Sequence, residues 1–456
     1  MPNIELTLFL IFKVITLTLS SPDANKTNSA NITMKTNKTL LSLAVACGLV
    51  ATSSTVNAAG FQLAEYSATG LGRAYAGEAA MADNASAQWR NPAMLTHLEG
   101  TQISIGAIYV DPNIDINGEV TTNSATGDRR GATSSKDIAN SAVIPNFYLS
   151  HKYNDKLAVG FALGTNYGME TELESSFTAQ HFGDKASVKT VEAVASLGYQ
   201  VAKSISLGAG IRYVTGEGHF GASLKSVADG SVTTLKYMEG DDSSWGYQLG
   251  AAWDINENNR LGVAYKSEVT MDFEGTASGL SYTPSKPGTL SIPLPATLEI
   301  ASFHQLTDTV AIHASINWTD WSKFKELQAQ FASGPDTIKT ENWKDNYRFA
   351  LGATYQYDSK LALRTGVAYD TSAVDDKNRT TTIPETDRTW LSMGASYQFT
   401  DQFSLDGGFT YILAKDAPIS EPRDSSDQTA ALIGGNFEGE ISGDVWLIGL
   451  QANYTF

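Results

Sequence analysis

The sequence predicts an all-β membrane protein, a 14-stranded antiparallel transmembrane β-barrel with a small, partly helical N-terminal hatch. Three observations indicate this fold. Fourteen segments alternate large apolar residues with small or polar ones, at the period of two that a strand requires. The connections between these segments are short and long in turn. No apolar run reaches the roughly 18 residues of a membrane helix.

Each alternating segment has the length of a tilted strand that crosses a bilayer, about ten residues. In one of them, Trp245, Tyr247, Leu249, Ala251 and Trp253 share a face. Aromatic residues recur at the segment ends, as in the girdles of membrane barrels. The segments begin near Thr101, Val143, Leu157, Val191, Ile205, Trp245, Leu261, Thr297, Val310, Tyr347, Leu361, Leu391, Phe403 and Val445.

The lengths of the connections distinguish a membrane barrel from a soluble β-sandwich. The strands of a sandwich also alternate apolar and polar residues, but nothing in that fold requires short and long loops to alternate. We expect the short turns and both chain ends to face the periplasm. The short turns are residues 153–156, 201–204, 256–259, 305–308, 357–360 and 400–402, and long polar stretches include 111–141, 216–243, 271–291 and 319–345.

The last segment ends on an aromatic residue. Trp446, Ile448, Leu450 and Tyr454 share one face with the terminal Phe456. Such an end is typical of the signal that the outer-membrane assembly machinery reads. We therefore expect that machinery to be a partner, through Phe456.

Residues 34–58 are predicted to form a secretory signal peptide. Lys35 and Lys38 are its basic end, residues 40–52 its apolar part, and residues 56–58 its cleavage site, so the mature chain would begin at Ala59. Residues 1–33 do not fit a signal, and we expect them to be a spurious upstream extension; a genuine long leader is the alternative. A lipoprotein cleaved before Cys47, the sole cysteine, is a further alternative.

Residues 59–100 are predicted to form the hatch, with the barrel over 101–456. Helix formers and small residues predominate in this segment, which shows no strand pattern. The interior of a 14-stranded barrel is too wide for its own side chains to fill. We therefore expect residues 59–100 to plug it.

Composition excludes several other functions. A net charge of −17 argues against a nucleic-acid partner, since phosphates need a basic surface. The sequence has no Gly-x-Ser-x-Gly, His-Glu-x-x-His or phosphate-loop motif, so we expect no catalytic residues and no cofactor.

Asp111, Asn113, Asp115 and Asn117 have calcium-loop spacing but lack the required glycine and final acid. We expect a solvated outer loop there and no metal site.

Several stretches carry a family resemblance. The mature start, Ala-Gly-Phe-Gln-Leu at 59–63, is followed by 70–75 and by Arg-Asn-Pro-Ala at 90–93. Residues 109–112, 166–168, 343–348 and 364–370 extend the match. Together they resemble the FadL family of outer-membrane long-chain fatty acid transport proteins over essentially the whole mature chain. This resemblance also implies a fourteen-stranded barrel with an N-terminal hatch.

The resemblance implies passive uptake of long-chain fatty acids in the outer membrane of a Gram-negative bacterium. Ligand would enter an apolar groove among the outer loops and pass to a pocket inside the barrel. Lys339 resembles the basic residue that meets the ligand's head group. The second basic position falls near His219 or Phe220, and the alignment leaves the choice between them open.

The resemblance also implies a gate and a side exit. Asn166, Tyr167 and Gly168 match the kink in the third strand through which ligand leaves the wall. Phe61 belongs to an N-terminus that reaches into the barrel, where Asp370 would hold the α-amino group of Ala59. Asn91-Pro92-Ala93 is expected to be a rigid structural turn of the hatch.

Three other functions remain open. A channel of the same family for aromatic compounds is the main alternative, followed by an outer-membrane lipase and a general porin. We expect a monomer surrounded by lipopolysaccharide and outer-membrane lipid, whose divalent cations the acidic loops are candidates to bind.

Overall fold

A computed structural model of the chain describes residues 60–122, 129–225, 231–422 and 434–456. The predicted upstream extension, the signal peptide and Ala59 lie outside the described residues. The strands are β1 (Thr101–Thr122), β2 (Arg129–Ser135), β3 (Ala142–Lys152), β4 (Leu157–Gly164), β5 (Gly168–Glu172), β6 (Lys185–Ala202), β7 (Ile205–Lys225), β8 (Val232–Asn256), β9 (Asn259–Lys266), β10 (Val269–Ser278), β11 (Lys286–Leu294), β12 (Thr297–Gln305), β13 (Val310–Thr319), β14 (Glu326–Phe331), β15 (Gly334–Thr340), β16 (Asn346–Gln356), β17 (Leu361–Asp370), β18 (Arg388–Gln398), β19 (Phe403–Ala414), β20 (Ala417–Glu421) and β21 (Asn436–Thr455).

Helices are few and short. Two α-helices, α1 (Ala68–Leu71) and α2 (Ala87–Arg90), belong to the N-terminal segment. Within the described ranges, no helix is both long and apolar enough to cross a membrane. The 3-10 turns are Glu78–Ala80, Pro92–His97, Leu280–Tyr282, Trp321–Lys323 and Asp376–Asn378.

Fourteen strands close into an antiparallel barrel, as predicted. The wall runs in the order β1, β3, β4, β6, β7, β8, β9, β12, β13, β16, β17, β18, β19 and β21. β21 then returns to β1, with pairs from Gln102↔Thr455 to Thr121↔Asn436. Each of the fourteen predicted segments lies on one of these strands.

The two faces of the wall have the polarity that a lipid environment requires. On β7, Leu207 and Ile211 are 46% and 61% exposed on the outside, whereas Ser206 and Arg212 are 0% and 1% exposed on the inside. A soluble sheet would bury the apolar face. Here the polar face is buried and the apolar face is outermost, which suits contact with acyl chains.

One rim carries the six predicted short turns, and four of them share a backbone pattern. In each of the four, an N–H group donates to the carbonyl four residues later, and the donors are Tyr153, Leu306, Tyr357 and Phe399. Asn154 and Asp358 add side-chain bonds to backbone N–H groups inside their turns. These contacts are local, which explains why the turns are visible in the sequence.

The opposite rim differs from the sequence-based expectation. Much of the predicted long polar loops is strand, because β1, β7 and β8 continue well beyond the bilayer-length core. The predicted solvated loop at 111–117 lies on β1, paired with β21. Hydrogen-bond ladders support these extensions, and one face of the β1 extension is apolar, because Ile114, Ile116 and Val120 are buried. Their outward neighbours are polar, so this extension lacks the apolar outer face that reveals a membrane strand.

The N-terminal segment fills the barrel. Leu71, Tyr75 and Trp89 are fully buried in one apolar cluster with the wall residues Tyr148 and Trp390. The Tyr148 hydroxyl also donates to the carbonyl of Tyr66 at 2.6 Å.

Inward glycines of the wall allow this close fit. A Cβ at Gly208, Gly262 or Gly366 would collide with hatch backbone at Ala93, Ala79 or Arg73 respectively. The hatch is therefore seated by backbone contact as well as by side-chain packing.

Candidate functional site

The wall is interrupted in its third strand. β4 ends at Gly164 and β5 begins at Gly168. Between them, the carbonyl of Asn166 accepts the N–H of Leu63 at 2.7 Å, and Gly168 N–H donates to the carbonyl of Phe61 at 2.8 Å. The backbone of the kink is therefore bonded to the start of the hatch.

The interruption leaves a gap in the strand ladder. Within the described ranges, β3 pairs with β4 from Phe147↔Leu163 to Lys152↔Ala158, and β5 pairs with β6 alone. Among the described residues, 142–146 of β3 have a strand partner on one side only, which is β1. The side chain of Asn146 at this edge is buried, and neither its nitrogen nor its oxygen has a hydrogen-bond partner in the described part of the chain. The predicted kink residues 166–168 therefore border an unpaired stretch of wall.

Phe61 lies in an aromatic cage. Its ring centroid is 4.5 Å from that of Trp321, 5.7 Å from Phe324 and 6.0 Å from Trp343. Tyr167 of the kink is also in contact, at 6.3 Å. Edge-to-face ring pairs of this kind stabilise their arrangement beyond the area that they bury. The cage connects the hatch, the kink and two outer connections.

Gly60 is required at the entrance of this cage. Its φ of +63° is left-handed, and a Cβ would stand 2.5 Å from Trp343 and 2.6 Å from Trp321. Burial raises the pKa of Glu385 to about 7, and the N–H of Gly60 is among the groups that oppose this rise by bonding its carboxyl group. Arg388 also bonds Glu385, at 2.9 Å.

Asp370 has other partners in the structure. Its Oδ1 lies 2.9 Å from Arg348 Nε, and its Oδ2 accepts from Trp390 Nε1 at 2.8 Å. Ala59, whose α-amino group was expected to pair with Asp370, lies outside the described residues. Glu385 is therefore the carboxyl group that contacts the described start of the hatch, a role that sequence reasoning missed.

Lys339 is buried and ion-paired. Its Nζ lies 2.9 Å from Glu421 Oε1 and 3.0 Å from Thr382 Oγ1, and both charged side chains are less than a tenth exposed. The adjacent Ile338 and Ile383 belong to or pack on the large apolar cluster that contains Phe61. The structure thus places a cation at the border of an apolar region, with Glu421 as a counter-charge that the sequence did not reveal.

A second carboxyl group accompanies this pair. Glu341 lies in the connection between β15 and β16, is fully buried and accepts from Trp343 Nε1 at 3.0 Å. Burial raises its pKa to about 7, although the charge of Lys339 opposes the rise. Because Trp343 also contacts Phe61, the Lys339 region and the cage are connected by contact.

His219 and Phe220 point to opposite sides of β7. Phe220 is 5% exposed and belongs to the apolar cluster, whereas His219 is half-buried and contacts Tyr237 at 4.8 Å. Both border a small cavity of about 30 Å³ that is lined mainly by apolar groups such as Phe273 and Leu290. The inward side chain at this position is therefore uncharged.

The Asn91-Pro92-Ala93 motif anchors the hatch. Asn91 Oδ1 accepts the N–H of Ala93 at 2.9 Å and thereby caps the following 3-10 turn. Its Nδ2 donates to the carbonyl of Ala251 on β8 at 3.1 Å. The motif therefore joins a turn of the hatch to the wall.

Comparison with known proteins places these features in a family. The sequence model of "Outer membrane protein transport protein (OMPP1/FadL/TodX)" matches residues 49–456. Outer membrane protein P1 of Haemophilus influenzae is 36% identical over 462 residues, covering 92% of this chain and 100% of that protein. The long-chain fatty acid transport protein of Escherichia coli (strain K12) is 32% identical over 469 residues, covering 93% and 100%.

Solved structures show the same fold. A Pseudomonas aeruginosa FadL homologue superposes with a TM-score of 0.78 at 23% identity, over 87% of this chain and 100% of that chain. The Pseudomonas putida toluene transporter TodX gives a TM-score of 0.64 at 17% identity, over 86% and 99%. Relatives named as outer membrane proteins and the barrel itself place the protein in the outer membrane of a Gram-negative bacterium. The predicted resemblance is confirmed, and the chain belongs to the OMPP1/FadL/TodX family of outer-membrane transport proteins for hydrophobic substrates.

Proposed function

We propose that the protein carries long-chain fatty acids passively across the outer membrane, without catalysing a reaction. The observation that carries this proposal is the buried Lys339 beside an extended apolar cluster. A fatty acid needs apolar surroundings for its chain and a cation for its carboxylate. The name of the Escherichia coli relative points to the same cargo.

Ligand capture would use the outer part of the barrel. The cavity beside Phe220, Phe273 and Leu290 offers an apolar lining near the outer ends of the strands. A ligand that moves inward from there would bring its carboxylate to Lys339 in exchange for Glu421.

The aromatic cage would act as the gate. A ligand at Lys339 changes the charges around Glu341, which holds Trp343, and Trp343 packs on Phe61. Ligand that binds the open arrangement better than the closed one would shift the population of the gate. Displacement of Phe61 would also loosen the hatch from Gly168, and a ligand could then leave through the interruption beside β3.

Replacing Gly168 with valine tests this exit. We expect surface capture of oleate to stay unchanged and its uptake to slow severalfold, because a branched side chain would occupy the interruption. Uptake and cell-surface binding of radiolabelled oleate measure the two steps separately. Gly131→Val is the control, since no atom of the described residues lies within 4 Å of a Cβ there. Normal uptake in the Gly168 variant would refute exit at the kink.

Aromatic compounds are the second candidate cargo. The uncharged Phe220 at the inward position and the fold shared with the toluene transporter TodX favour this alternative. A hydrocarbon needs no cation, so it would leave Lys339 paired with Glu421.

Uptake in a deletion strain distinguishes the two cargoes. We expect a Gram-negative host that lacks its own outer-membrane fatty acid transporter to grow on oleate when it expresses this protein. Radiolabelled oleate should enter faster than in cells with an empty vector, and labelled toluene should not. Faster entry of toluene without faster entry of oleate would refute the fatty-acid assignment.

We further propose that the protein works as a monomer in lipopolysaccharide and outer-membrane lipid. The terminal Phe456 is 67% exposed at the rim, and its N–H donates to the carbonyl of Thr101 at 2.9 Å. An exposed aromatic end supports its recognition by the assembly machinery.

A further inference from the structure

Lys266 is a buried lysine inside the barrel. It is the last residue of β9, pairs with Gln248 and Thr297 of the neighbouring strands, and is 5% exposed. A lysine at an inward wall position is unusual unless a carboxylate accompanies it. Among the described residues, the Lys266 side chain shares no contact partner with the Lys339–Glu421 pair.

The ammonium group of Lys266 is incompletely bonded. Its Nζ donates to Asn166 Oδ1 at 3.0 Å and lies 4.3 Å from the ring centroid of Trp89. An ammonium group has three donors, and among the described residues this carbonyl oxygen is the only acceptor of Lys266 Nζ. Two donors are therefore available to a ligand.

The carboxylate near Lys266 is that of Glu192, which already accepts hydrogen bonds from other groups. Glu192 accepts two bonds from Arg212, at 2.7 and 2.9 Å, and a third from Asn166 Nδ2 at 2.6 Å. With Lys266 protonated, the three side chains of Lys266, Arg212 and Glu192 have one positive charge more than they have negative charges. A buried cation without its own anion is unfavourable, and an incoming carboxylate would relieve that cost.

Lys266 lies directly behind the interrupted wall. Asn166, its hydrogen-bond partner, belongs to the kink, and the Trp89 ring beneath the ammonium group packs 3.1 Å from the Cβ position of Gly164 at the end of β4. A ligand that approaches the kink from inside would meet this cation at the interruption.

We propose that Lys266 is a second carboxylate-binding site, at the exit, that receives the fatty-acid head group after it leaves Lys339. The carboxylate would accept the available donors of Lys266 Nζ and would compete with Asn166 Oδ1 for the remaining one. Release of Asn166 would free one side chain of the kink while the ligand's chain enters the opening. The inference rests on the proposed fatty-acid transport and adds a step to it.

A comparison of charged and neutral ligands tests the site. We expect Lys266→Met to lower the initial uptake rate of oleate about tenfold, the loss typical of one charged hydrogen bond, while methyl oleate changes less than twofold. Lys266→Arg should restore the oleate preference, and Lys266→Gln should not. The control is Lys415→Met, because the Lys415 side chain is 72% exposed just beyond the end of β19 and pairs with Asp387.

The outcomes separate a binding role from a structural one. Equal losses for oleate and methyl oleate, or no loss for either, would overturn the proposal. The electrophoretic mobility of the unheated barrel reports folding, and the Gln and Arg variants keep the comparison valid if the Met variant is unfolded. If the unaltered protein carries toluene and no oleate, the proposed function itself fails, and uptake of the two labelled compounds by the unaltered protein shows this independently of Lys266.

Discussion

In planar lipid bilayers, the Gly408→Val variant is expected to conduct ions, whereas the unaltered protein stays closed by its hatch. Gly408 lies on β19 and faces inward, where a Cβ would stand 2.6 Å from the carbonyl oxygen of Ala68 and 3.0 Å from the nitrogen of Gly72. Both are backbone atoms, which cannot rotate away as a side chain can. Valine must therefore push α1 from the wall.

Gly408 belongs to a group of neighbouring wall glycines on which α1 packs. Gly408 pairs with Gly394 on β18 and with Gly449 on β21. These three neighbouring glycines form one flat patch, and α1 lies on it with Gly72 against Gly394 and Leu71 against Gly449. A barrel of this width conducts once its plug moves, so we expect conductance to rise roughly tenfold or more.

Gly407→Val is the matched control for this prediction. Gly407 is the next residue on the same strand but faces outward, and its nearest neighbour is Leu450 Cδ2 at 3.8 Å. Valine there should leave the barrel closed, because it adds apolar surface on the lipid side. A closed Gly408 variant that is folded, as judged by its unheated mobility, would show that backbone contact does not hold the hatch.

The wall was predictable because its signals are local. The period of two along Ile205, Leu207 and Ile211, and the turn residues Asn154 and Asp358, are each legible within a dozen residues. The extension of β1 beyond the core was not predicted, because its outward residues, such as Asn113 and Asn117, are polar and typical of a loop. Ile114 and Ile116 nevertheless alternate with them on a buried face.

The contacts that hold the hatch against the wall were not predictable from the sequence. Ala68 and Gly408 are in contact although 340 positions separate them, and a glycine in a strand pattern has several ordinary explanations. Shorter separations, of 82 and 100 positions, likewise hide Glu421 from Lys339 and Lys266 from Asn166. Sequence reasoning named Lys339 and Asn166, whereas their partners Glu421 and Lys266 came only from the fold.

We expect opposite changes in oleate affinity when the two charges of the Lys339–Glu421 pair are removed singly. Lys339→Met removes the cation that would bind the carboxylate, and a charged hydrogen bond of this kind corresponds to a loss of about tenfold to a hundredfold in affinity. Glu421→Gln removes the competing anion and leaves Lys339 buried without a carboxylate on it. Oleate should therefore bind the Glu421 variant severalfold more tightly than the unaltered protein.

Equilibrium binding of labelled oleate to the purified proteins in detergent measures both changes. Glutamine keeps an oxygen for the two bonds that Glu421 accepts from Thr381, at 2.7 and 2.9 Å, so the local structure should persist. The exposed pair of Lys344 and Asp375 supplies the controls, because Lys344→Met and Asp375→Asn alter charge in a neighbouring connection without reaching the apolar cluster.

The direction in which Glu421→Gln changes oleate affinity decides the role of the pair. A pair that served stability alone would weaken binding, or leave it unchanged, whichever partner was removed. Tighter binding in Glu421→Gln and weaker binding in Lys339→Met can arise together only if ligand and Glu421 compete for the same ammonium group. Weaker binding in both variants would assign the pair to the structure of the outer connections and would leave the head group without its proposed partner.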